Sequence, residues 1–289
     1  MKRLCLLAVL LVLGALPALG QQENLIPAIG ALERGDYKQA IDTLRPIAAD
    51  GNMEAQYVLA TILETAPAPF KDVEGAHAWY LRAAENGHAA AQNNLGAMYY
   101  DGRGALRDIV EAAKWYRLAA DQGHAVAQTN LALMHAMGLG VPQDMTLVVS
   151  LLKQAAETGD PRAQAQLARL YLDGEGVPQD TTEAVRWFRN AAAQDHEGAQ
   201  FFLGVLLQRG IGAPRDFEAS TAWLRRAAEK GNRLAMLELA KAYELGMGTR
   251  ADAATAQSWR ERALAKPPPR AEDAAPTPAQ RAEPRRSKP

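Results

Sequence analysis

The 289-residue sequence predicts an all-α fold: helix-turn-helix units stacked with a period of 36 residues. Three observations predict it. Aspartate recurs at a constant spacing, as Asp36, Asp72, Asp108, Asp144, Asp180, Asp216 and Asp252. Alanine and leucine keep the same period, as Ala55, Ala91, Ala127, Ala163, Ala199 and Ala235, and as Leu59, Leu95, Leu131, Leu167, Leu203 and Leu239. A glycine pair such as Gly102/Gly104 then precedes a tryptophan, found at Trp79, Trp115, Trp187, Trp223 and Trp259. A compact enzyme domain has no reason to repeat residues on one strict period. A stack of like units does, because each must reproduce the same turns to pack on the next.

The first helix of a unit runs through Ala91, Leu95 and Tyr99, which share one helical face at i, i+4 and i+8. The glycine pair ends it, since glycine adopts positive φ at little cost. The periodic aspartate should cap the second helix, its carboxylate accepting backbone N–H groups that lack helical partners. Glu111 after Asp108 and Glu183 after Asp180 extend this to a reciprocal capping box. The second helix places Ala112, Trp115 and Ala119 on one stripe and stops at Gly123. Gly51, Gly87, Gly159 and Gly231 share that stop, and Asp195 takes it in one unit. Small alanines should let helices approach while each tryptophan fills the core between them. Two units depart from the pattern: residues 65 to 69 (TAPAP) replace one glycine pair, and Leu151 with Val148 stands in for the usual Trp and Ala.

The segment AQNNLGAMYYDGRGALRDIVEAAKWYRLAADQGHA resembles the Sel-one-like repeat family, relatives of tetratricopeptide repeats. That resemblance implies a right-handed α-solenoid of about 14 helices. With neighbouring helices roughly 8–10 Å apart, the units would follow an arc of about 60–70 Å. The expected organisation is a secretory signal peptide over 1–20 and a degenerate N-terminal capping repeat over 21–52. Six repeats follow over 53–266, and a disordered, basic, Pro-rich tail over 267–289. The leader reading rests on Lys2 and Arg3, the apolar run from Leu4 to Leu13, and small residues near Gly20. The tail reading rests on seven prolines and few apolar residues.

Charge and motifs narrow the function. The leader carries +2, residues 266–289 carry +3 and the whole chain −1, which leaves −6 for residues 21–265. An acidic body argues against nucleic acid, whose binding needs a basic footprint. No apolar run is long enough to span a membrane. His88, His124 and His196 share one repeat slot with Asn52, Asp160 and Asn232, which points to a cap or turn role. Successive units stand too far apart for these histidines to hold one metal ion. The GxG loops lack a third glycine, a Lys-Ser/Thr and a preceding strand, so they are not phosphate loops. Ser150 and Lys153 match the SxxK pattern of penicillin-recognising enzymes, and some members of the family are associated with β-lactam binding; SDN and KTG are absent. No catalytic residue, cofactor or metal is expected.

The expected function is a non-catalytic interaction scaffold, secreted to the periplasm, that holds a protein or peptide partner of the cell envelope on its concave face. The tail could add contact with peptidoglycan. The alternative is a cell-wall binder or β-lactam/peptidoglycan-directed enzyme using Ser150 and Lys153. In tetratricopeptide relatives the first helices line the concave surface. Carrying that over nominates first-helix positions two before and two after the periodic leucine, with others further along the same face. The partner-binding candidates are Tyr57, Asn93, Tyr100, Thr129, Arg169, Phe201 and Arg209. Aromatic and arginine side chains among them are the expected anchors.

Overall fold

The computed structural model describes residues 25–265, and among them it contains 14 α-helices and no strand. The leader and tail assigned from the sequence lie outside the described residues. The opening pair is α1 (Ile26–Glu33) and α2 (Tyr37–Ala49), with a first helix shorter than any that follows. Six full hairpins come next: α3 (Met53–Thr65) with α4 (Val73–Glu85), α5 (Ala89–Asp101) with α6 (Ile109–Asp121), and α7 (Ala125–Met137) with α8 (Met145–Glu157). The last three are α9 (Pro161–Asp173) with α10 (Thr181–Ala193), α11 (Glu197–Arg209) with α12 (Phe217–Glu229), and α13 (Arg233–Leu245) with α14 (Ala253–Leu264).

Both caps are built from side chains on the period. Each periodic aspartate N-caps its second helix; Asp108 Oδ1, for example, accepts from Glu111 N at 2.9 Å. The polar slot that includes the histidines caps the first helices. Nδ1 of His88, His124 and His196 accepts the backbone N–H of Ala91, Ala127 and Ala199, and Asn52 and Asn232 do the same with their amide oxygens. The reciprocal half of the expected capping box is absent. Asp108 N donates to Tyr99 O and Asp180 N to Tyr171 O, each at 2.9 Å, so the N–H that a glutamate would satisfy is already used. Glu111 and Glu183 pair instead with Lys114 and Arg186. Gly102 closes α5 at φ 72°, and Asp195 adopts φ 64° at the one stop position without glycine. The TAPAP loop still delivers Asp72 to its cap, with Asp72 N donating to Leu63 O at 2.8 Å.

The core differs from the expectation at the tryptophan. Trp187 is buried, whereas Trp79, Trp115, Trp223 and Trp259 are half-buried. Apart from the stripe alanines, the residue after the tryptophan position is a large side chain that is enclosed in each of these second helices: Tyr80, Tyr116, Leu152, Phe188 and Leu224. The tryptophans lie at the seam, where four carry an arginine over the ring, such as Arg82 at 4.6 Å from the Trp79 centroid. An indole is too large for the gap between two alanine-lined helices, so its outer edge stays at the surface and takes a cation–π contact. Leu151 and Val148 are buried in the unit that lacks Trp.

Gln56, Gln92, Gln128, Gln164 and Gln200 form an internal ladder. Each Nε2 donates to the carbonyl eight residues earlier, near the end of the preceding second helix, from Ala48 O to Ala192 O. Each of these carbonyls also accepts the backbone N–H three residues on, as Ala84 O does from Gly87 N, so the glutamine supplies its second bond and ties it to the next unit.

Candidate interaction surface

Neighbouring first helices approach one another directly, as α7 does α9 and α11 does α13. They therefore form the inner side of the stack. On that side a continuous track of hydrogen bonds crosses four first helices. Arg162 on α9 donates to Asn130 Oδ1 at 3.2 Å, and Asn130 Nδ2 on α7 donates to Asn93 Oδ1 at 3.1 Å. On α5, Asn93 Nδ2 donates to Asn94 Oδ1 at 3.1 Å, and Asn94 Nδ2 donates to the Tyr80 hydroxyl at 3.2 Å. Tyr80 in turn donates to Glu64 Oε2 at 3.0 Å, and Arg103 closes the end by pairing with Glu64 and with Asp101. Every amide donates in the same sense, so each member orients the next.

Beside this track lies a cavity of about 200 Å³, lined by Tyr100, Tyr116, Asn130, Leu133, Met134, Met137 and Arg162. Asn130, Leu133, Met134 and Met137 line it from one face of α7, at i, i+3, i+4 and i+7. Tyr116 reaches it from the second helix α6 because α5 carries glycine at position 96. A methyl there would stand 2.9 Å from the Tyr116 ring. Burial raises the Tyr116 hydroxyl to about 12, with Asp101 acting in the same direction, so it stays protonated.

The sequence-derived candidates divide. Tyr100, Arg169, Phe201 and Arg209 keep accessible surface on the inner side. Tyr57, Asn93 and Thr129 do not: they are 7%, 8% and 0% exposed, and the expectation that they face solvent is corrected. Tyr57 stacks on His88 with ring centroids 4.5 Å apart, and the Thr129 hydroxyl donates to Asp160 Oδ2 at 2.6 Å. Their position, two before the periodic leucine, lies on the flank that the next unit covers; Phe201 holds it too and is half-buried, packed against the core that includes the next unit's Ala235 and Leu239. Leu237 holds the same position in the last described unit and is 43% exposed. The position one residue later supplies Asn94, Asn130 and Gln166 in three consecutive units, a repeat of primary amides that sequence reasoning passed over. Met137 and Arg162 were also missed.

Ser150 is exposed on the outer helix α8 and accepts only a long contact from Gln154 Nε2, at 3.4 Å. The Lys153 ammonium points instead to the Tyr171 ring, 5.9 Å from its centroid. Among the described residues no base hydrogen-bonds the serine. Among the described residues no group of three metal-ligating side chains converges, and no helix is long and apolar enough to cross a membrane.

Comparison with known proteins agrees with the architecture. A family model described as Sel1 repeat matches residues 54–88, 89–124, 125–160, 161–196, 198–232 and 233–266. A Sel1 repeat protein from Oxalobacter formigenes is similar in structure, with a TM-score of 0.74 and 34% identity over 84% of this chain and 97% of that one. So is c5321, a protective antigen of uropathogenic Escherichia coli with an SLR fold, with a TM-score of 0.76 and 30% identity over 89% of this chain. The alignment spans 56% of that protein's length. A search of curated proteins found no match. With six consecutive matches covering most of the sequence, and a solved relative aligned over nearly its whole length, the chain belongs to the Sel1 repeat family.

Proposed function

We propose that this chain is a secreted, periplasmic interaction scaffold that holds a protein or peptide segment on the inner face of its first helices. The observation that carries the reading is the pairing of an oriented amide track with an open side-chain-sized cavity on that face. Asn93 is buried and Asn94 and Asn130 are half-buried, so these amides do not shed their partners cheaply and hold the face in one arrangement, while the cavity offers an apolar anchor point. The leader-like residues 1–20 support export, and residues 21–52 act as the cap that shields the first full repeat. The basic residues 267–289 offer a second contact with anionic envelope material such as peptidoglycan. Ser150 and Lys153 lack the geometry for acyl transfer, so the interaction reading is preferred to an enzymatic one.

Photo-crosslinking in cells tests it. A benzophenone side chain at position 100 or 137 should give a discrete adduct identifiable by mass spectrometry, and one at the outer-face position 118 should not. Adducts from position 118 alone would overturn the reading.

A further inference from the structure

The cavity has no carboxylate in its wall, although the repeat body as a whole is acidic. Its one charged lining residue is Arg162, which is exposed. Among the described residues no ion pair includes Arg162, Arg169 or Arg209, whereas Arg103, Arg186, Arg226 and Arg260 are all paired. Among the described residues the Arg162 side chain donates only to the neutral Asn130 amide, so most of its guanidinium donors are left over there. Arg107 adds a second cation, 5.9 Å from the Tyr100 ring centroid, and it also forms no ion pair. The carboxylates around this stretch are already engaged: Glu64 and Asp101 pair with Arg103, and Asp160 accepts from Thr129 and from the backbone N–H of Ala163. A guanidinium with free donors beside an apolar cavity matches a carboxylate next to a large apolar side chain. A volume of about 200 Å³ falls below the roughly 300–1,000 Å³ of a typical small-molecule pocket, and it suits one inserted side chain better than a whole ligand.

We propose that the inner face binds an extended peptide segment in which acidic residues flank one large apolar residue. The apolar side chain enters between Tyr100 and Met137, and a flanking carboxylate takes Arg162. Asn94 and Gln166, at the amide position on either side of Asn130, offer contacts to the peptide backbone. Because the body carries net negative charge, attraction is local to the arginines and weakens with salt. This inference rests on the inner-face reading above and adds the chemistry of the partner.

Fluorescence anisotropy with three labelled decapeptides tests it: an acidic one with a central Phe, the same with Ser for Phe, and a basic one that retains Phe. The first should bind, and the other two should bind at least about tenfold more weakly, the scale of one well-placed charge-assisted contact. Arg162→Glu and Met137→Glu are both at exposed positions, so circular dichroism should stay unchanged. Each should weaken the acidic Phe peptide about tenfold, and Arg162→Glu should improve the basic one. Equal binding of acidic and basic peptides, or no effect of Arg162→Glu, would overturn the proposal. If no peptide binds while positions 100 and 137 still crosslink a protein, the acidic-peptide chemistry is refuted and the inner-face reading stands.

Discussion

Gln92 and Gln122 lock two successive repeats together: Gln122 Nε2 donates to Gln92 Oε1 at 2.7 Å, while Gln92 Nε2 donates to Ala84 O at 3.0 Å. Gln164 and Gln194 repeat the arrangement at 2.9 Å. The ladder is incomplete where the partner slot changes. Thr158 is too short to reach Gln128, and Lys230 turns to Asp195, so Gln128 Oε1 and Gln200 Oε1 are left without a partner.

Gln92→Leu should lower the unfolding free energy by about 0.5–1.5 kcal/mol, because it removes the side-chain bonds that Gln92 makes to the Ala84 carbonyl and to the Gln122 amide. Gln200→Met should cost less, since its oxygen is already unpaired and the last unit carries Met236 in the same slot. Urea-unfolding midpoints compare the two directly. Equal shifts would mean that the amide network contributes nothing beyond packing.

Phe188→Ala should cost about 3–5 kcal/mol, the range for truncating a fully buried aromatic. Trp223→Ala should cost less, because its ring is half-buried at the seam. Trp115→Ala should still exceed any exposed change, such as Leu106→Ala. Thermal melts of the four variants would reveal a different order if the tryptophans were the true core.

Burial lowers the pKa of His124 and of His196, and both use Nδ1 as a helix cap, which protonation would abolish. The unfolded chain binds the proton more readily, with an ordinary histidine value of about 6.5, so stability is full above that pH. It should fall as pH drops below about 6.5 toward the depressed folded values. His124→Asn combined with His196→Asn keeps the caps and should flatten this part of the stability–pH curve. A curve of unchanged slope would refute the cap linkage.

Gly123→Ala meets open space and should cost about 1–2 kcal/mol, the penalty for a side chain at positive φ. Gly212→Ala should cost more. A methyl there would stand 2.0 Å from Thr181 O, because the loop of one unit presses on the second helix of the unit before it. Chemical denaturation of the two variants gives the ordering.

Much of the fold was legible because local chemistry repeats. An aspartate that caps, a glycine that turns left-handed and alanines on one stripe act within a few residues of one another, so their period is the fold. The histidine slot was read as a cap for the same reason. Which aromatic is deepest was not legible: Trp79 and Tyr80 are adjacent, and only the angle at which two helices meet decides which ring is enclosed.

The candidate surface was half legible for a related reason. The resemblance to tetratricopeptide repeats nominated the first helices, and on them Tyr100, Arg169 and Arg209 keep accessible surface. Tertiary structure alone decided the flank. Asn93 and Thr129 face the next repeat, while Asn130, Met137 and Arg162 are left to line an opening between three units. A residue's own helix sets its direction relative to that helix; the rotation from one repeat to the next sets what lies opposite, and that rotation is a sum over packing contacts no single unit contains.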